Sequence, residues 1–120
     1  MNNTDSEIRR LDFENIINGI FICISLINVF GNEFQKKYLL DGNILYKEYA
    51  NNLYVLGLII SFFLYIYFFN RNYSMYNNKD NPTDSDLIKV MGSFLYIVGV
   101  LCLLYFQINS EDNFIIGEPV

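Results

Sequence analysis

The sequence predicts an all-α membrane protein, three transmembrane helices packed as a small bundle in a single domain over residues 1–120. Three observations carry that prediction. Leu53 to Phe69 holds no charge, and only Gly57 and Ser61 interrupt its aliphatic and aromatic residues. Such a run has no polar face for water, and at about 1.5 Å per residue it spans roughly 25 Å, near the thickness of a bilayer core. Two further apolar runs, Ile16 to Phe30 and Val90 to Phe106, lie on either side of it. Finally, the charged residues gather between and beyond the runs. The implied spans are residues 14–32, 52–70 and 88–107, with loops at 33–51 and 71–87 and an acidic tail at 108–120.

The N-terminal segment is polar. Thr4 and Glu7 have the spacing of a capping box, so a helix is expected to start near residue 5. Arg9 and Arg10 then precede the first apolar run. They read as the aqueous start of a membrane helix, with an interfacial amphipathic segment as the rival. A signal peptide ending near Val29-Phe30-Gly31 also competes, but Asp5, Glu7, Asp12 and Glu14 give its leader the wrong charge.

The first span is the most polar of the three. On a wheel of about 100° per residue, Asn18, Ser25, Asn28 and Asn32 share an arc of roughly 80°. Gly19 and Cys23 lie on roughly the opposite side at small-xxx-small spacing, which permits close approach of another helix. An amide in lipid needs a partner, so the asparagine stripe is expected to face protein or a wet cavity.

Between the first two spans, Asp41-Gly42-Asn43 is a turn signal. Tyr38-Leu39-Leu40 and Ile44-Leu45-Tyr46 flank it, which fits a short hairpin. It fits equally a helix that starts at Asn43 and runs into the second span. In that span Tyr54, Gly57, Ser61 and Tyr65 share one face, and the aromatic run from Phe62 to Phe69 suits packing and an interfacial belt better than a ligand pocket. Next, Thr83 and Asp86 repeat the capping-box spacing, which explains the local acids better than a calcium loop does. In the third span Gly92, Tyr96, Gly99 and Cys102 form a stripe of mostly small residues. The tail carries an apolar island, Phe114-Ile115-Ile116, and reads as a plain terminus or a minor docking segment.

Composition excludes several classes. With a net charge of −5 and no basic patch, nucleic acid is not an expected partner. Histidine is absent, and the apolar runs from 16 to 30, 53 to 69 and 90 to 106 hold no Asp, Glu, Lys or Arg. Coupled transporters and pumps usually keep one at that depth. No nucleophile–base pair, phosphate loop or metal-ligand cluster is present, so no enzyme activity, cofactor or metal is expected. The two cysteines read as small packing residues.

The expected function is therefore interaction: an accessory or immunity-type membrane subunit, with a self-assembling, holin-like pore as the alternative. The residues to carry it are Asn18, Gly19, Cys23, Ser25, Asn28, Gly57, Ser61, Gly92 and Gly99, and the expected partners are lipid and either copies of the chain or another membrane protein. Five basic residues (Arg9, Arg10, Arg71, Lys79, Lys89) on one side against three (Lys36, Lys37, Lys47) on the other favour a cytoplasmic N-terminus and an outer C-terminus. The Asn-, Ile- and Tyr-rich usage, with a single alanine, fits AT-rich codons and a bacterial cell membrane.

Overall fold

The computed structural model describes residues 3–109. The acidic tail and its Phe114-Ile115-Ile116 island lie outside those residues. Three helices account for nearly all of the described chain: α1 (Asn3–Asp41), α2 (Ile44–Asn78) and α3 (Asp84–Asn109). They run up, down and up in a bundle 59 Å long. All three are long and apolar enough to cross a membrane.

The loop expected at 33–51 is helix instead, apart from Gly42 and Asn43, and the hairpin does not form. Glu33, Gln35, Lys36, Lys37 and Leu39 are all good helix formers, so α1 continues past the apolar run into polar surroundings. A Glu33–Lys36 ion pair at 2.9 Å supports that extension. So do contacts of Phe34 with Tyr46 and Tyr49 across the hairpin of helices. Gly42 ends α1: its φ of +73° suits glycine, and its N–H returns to the Tyr38 carbonyl at 2.7 Å. Asn43 then caps α2, its side chain accepting from the Leu45 N–H at 3.0 Å. The Asp41-Gly42-Asn43 turn joins helices rather than strands, and the alternative of a helix that starts at Asn43 and runs into the second span is the one that holds.

The loop at 71–87 shortens in the same way, because α2 runs to Asn78 and α3 begins at Asp84. The capping box is complete here. The Asp86 N–H donates to Thr83 Oγ1 at 3.2 Å, and the Thr83 N–H donates to Asp86 Oδ2 at 2.8 Å. At the other N-terminus, α1 already includes Asn3, and Glu7 pairs with Arg10 at 2.9 Å.

α2 is the central helix. It packs against both neighbours, and no Cα of α1 comes within 8 Å of one in α3 among the described residues. The bundle is therefore open on the side where α1 and α3 fail to meet. Ile17, Ile24 and Gly31, seven residues apart, form the buried seam of α1. Tyr54, Gly57 and Ser61 form that of α2, as their shared face predicts. On α3 the buried residues are Val90, Ser93, Val100 and Gln107, not the glycine stripe. At most 17% of each apolar window is buried inside the bundle, so the apolar surface is directed outward. Water does not tolerate so large an apolar exterior, whereas a bilayer does.

Candidate functional site

Two polar belts tie the helices together. In the first, Glu14 of α1 meets Arg71 of α2 at 2.8 Å, with side chains only 12% and 17% exposed. The same carboxylate oxygen accepts from Arg10 Nη1 at 3.2 Å and from the Tyr67 hydroxyl at 3.1 Å. Arg71 also donates through Nε and Nη2 to Asn72 Oδ1 at 3.0 and 2.8 Å. Its guanidinium lies 5.0 Å from the centre of the Phe68 ring, within cation–π range. Asn72 Nδ2 donates to Ser93 Oγ of α3, and that hydroxyl donates to the Lys89 carbonyl at 2.9 Å. A single hydrogen-bonded chain thus crosses all three helices.

The second belt is neutral. The Tyr54 hydroxyl donates to Asn32 and lies 3.0 Å from Gln35 Oε1. On the other side of α2, Gln107 of α3, 1% exposed, donates to Asn51 Oδ1 at 2.7 Å. From Tyr54 to Arg71, or from Asn32 to Glu14, is about 25–27 Å along a helix, close to the thickness of a hydrocarbon core. The two belts are therefore spaced as the two edges of a hydrocarbon core are. Polar side chains at those levels can link helices without an ion at the midplane.

The residues singled out in the sequence fall into two groups. Gly57 and Asn28 meet at the α1–α2 contact, and Ser61 lies one turn along α2 from Gly57. A Cβ built on Gly57 would lie 3.5 Å from both Asn28 Oδ1 and Ile24 Cγ2, while the Ser61 hydroxyl returns to the Gly57 carbonyl at 2.8 Å. Asn18, Gly19, Cys23, Ser25, Gly92 and Gly99 are not in the buried seams. Asn18, Ser25 and Gly99 are exposed, and nothing lies within 4 Å of a Cβ built on Gly19, Gly92 or Gly99. Ser25 bonds its own helix, at the Phe21 carbonyl 3.3 Å away. Both cysteines are unpaired and exposed, so they are not packing residues within this bundle.

Sequence reasoning passed over Gly31 and the Glu14 cluster. A Cβ on Gly31 would sit 2.7 Å from Tyr54 Cε1, so this glycine lets the ring reach Asn32 and Gln35. Its signal was the seven-residue register with Ile17 and Ile24. In the sequence Glu14 reads as part of the polar leader, and nothing along the chain links it to Arg71.

Along the open side runs an apolar groove of about 590 Å³ between α2 and α3, lined by Leu58, Ser61, Gly92, Gly99 and Leu103 among others. A smaller cavity of about 210 Å³ reaches from Phe21 to Arg71, Asn72 and Ser93. Both are walled by Tyr65 and Tyr96, whose rings stack at 5.1 Å.

Fold and belts together define a class: a bundle of three helices able to cross a membrane, joined at two polar edges and open along one face. Compared with protein-family models, curated proteins and solved structures, the chain matches none.

Proposed function

We propose that the chain is a small non-enzymatic integral membrane protein that acts through helix–helix interaction, as an accessory or immunity-type subunit of a bacterial cell membrane. The observation that carries this reading is Asn18. Its side chain points out of the bundle within the first apolar helix and has no hydrogen-bond partner among the described residues. At membrane depth an amide gains from pairing across helices, by about 0.5–2 kcal/mol for each bond. Gly19 and Cys23, also outside the buried seam, present a small face suited to a second contact. The charge bias of the polar segments supports a cytoplasmic N-terminus, so a C-terminal reporter active only outside the cytoplasm is expected to give signal. Activity of a cytoplasmic reporter at that position would reverse the orientation.

The same stripe supports a second reading, a self-assembled pore whose lumen is lined by Asn18, Ser25 and Asn28. The double substitution Asn18→Leu with Asn28→Leu separates the two. For the accessory subunit, liposomes show no ion flux with either protein, and the variant loses its native-membrane partner in mild detergent. For the pore, the unsubstituted protein conducts and the variant does not. Retention of both partner and assembly state by the variant would sink both readings.

A further inference from the structure

The cleft along the open face changes character with depth. Arg71, Asn72 and Ser93 border the smaller cavity at the level of the first polar belt. Beyond the stacked Tyr65–Tyr96 pair, the larger cavity continues between α2 and α3 with Leu58, Gly99 and Leu103 in its walls. The polar end lies at the level of that belt and the apolar end runs towards the middle of the bundle, the same polarity gradient as a lipid in its leaflet.

Arg71 still has capacity at that end. A guanidinium offers five N–H donors. Glu14 and Asn72 engage one each on Nη1, Nε and Nη2, so one further N–H remains on each terminal nitrogen. Phosphate oxygens match that geometry better than any neutral acceptor. With no Cβ at Gly92 or Gly99, and nothing within 4 Å of where one would be, the wall of the larger cavity is smooth enough for a flexible chain.

We propose that this cleft holds one phospholipid, its phosphate on Arg71 beside Asn72 and Ser93, and one acyl chain along Gly92 and Gly99. The proposal rests on the membrane-spanning reading and is independent of which protein the bundle contacts.

The test is native mass spectrometry of the full chain in detergent, titrated with dioleoyl phosphatidylglycerol or with dioleoylglycerol, which has the same chains and no phosphate. One phosphatidylglycerol per chain is expected to be retained, with dioleoylglycerol about tenfold weaker, the size of one lost charge-assisted hydrogen bond. Gly92→Leu with Gly99→Leu fills the groove and is expected to abolish retention at unchanged helix content by circular dichroism. Equal retention of the two lipids overturns the phosphate contact, and retention by the filled variant overturns the site. Should that variant misfold, Cys102 reports instead, because it lines the groove. In a Cys23→Ser background, added phosphatidylglycerol is expected to slow its reaction with a maleimide. An unchanged rate at every lipid concentration also overturns the proposal.

Discussion

At the Glu14 end, α1 is held to α2 by charge; at the Tyr54 end, the same two helices are held by a phenol between two amides. In the first, one carboxylate oxygen serves Arg71, Arg10 and Tyr67 together. In the second, three neutral groups meet over a glycine whose missing Cβ lets the ring come close. The contrast shows two ways to join helices where apolar contact gives no net drive, because lipid is as apolar as the partner helix. An ion pair tolerates a loose fit but requires both charges. A neutral cluster requires shape, and loses little when one atom is removed.

The largest effect that follows is at Glu14. Glu14→Leu leaves Arg71 half-buried with no anion, a loss expected near 3 kcal/mol. The measurement is reversible unfolding in mixed micelles. Glu14→Leu combined with Arg71→Leu is expected to recover more than half of that loss, since the unpaired charge is what destabilises. If the double variant is as unstable as the single, the first belt is not held by charge and the comparison fails.

At the neutral end, shape is expected to outweigh the hydrogen bonds. Gly31→Ala drives a methyl to within 2.7 Å of the Tyr54 ring, and overpacking of this kind costs about 1–3 kcal/mol. Tyr54→Phe keeps the ring and removes the hydroxyl from Asn32 and Gln35, which costs about 1 kcal/mol. Combining Gly31→Ala with Tyr54→Leu is expected to cost less than the sum of the separate changes, because the smaller side chain makes room for the methyl. Strict additivity in the same unfolding assay would show that Gly31 and Tyr54 are not coupled.

Much of the fold was legible because the signals are local. Leu53 to Phe69 needs no partner to read as a membrane-crossing helix, and the Thr83–Asp86 cap is written within four residues. The face shared by Tyr54, Gly57 and Ser61 also emerged from periodicity alone. The helix lengths did not, because charge at Glu33, Lys36 and Lys37 looks the same in a loop as on a solvated helix. The belts were hidden for a different reason. Glu14 and Arg71 belong to different helices, and only the antiparallel register sets them level. The α3 stripe of Gly92, Tyr96 and Gly99 was recognised as a face, but periodicity gives a direction without a neighbour. In the bundle that direction leads to the open groove.

The smallest effect belongs to Asp86, which lies beyond the charged belt and sharpens the contrast by separating a cap from a tether. The Thr83 backbone N–H first, and Lys79 at 2.9 Å next, hold its carboxyl down to about 2 from an ordinary 3.8. The group is therefore ionised in both folded and unfolded chains at neutral pH, and its stabilising contribution is full above about pH 4. That contribution fades as pH falls from the unfolded value through about 2, because protonation removes the acceptor that the Thr83 N–H and Lys79 need. A carboxyl-detected NMR titration is expected to find the Asp86 midpoint near 2, and to find it higher in Asp86's setting without the hydroxyl, in Thr83→Ala. A midpoint at the ordinary value in the unsubstituted protein would mean that the cap is open. If it lies near 2, the cap stays ionised at every pH above about 4, and it ties the start of α3 to the end of α2 without bearing on how α1 is held.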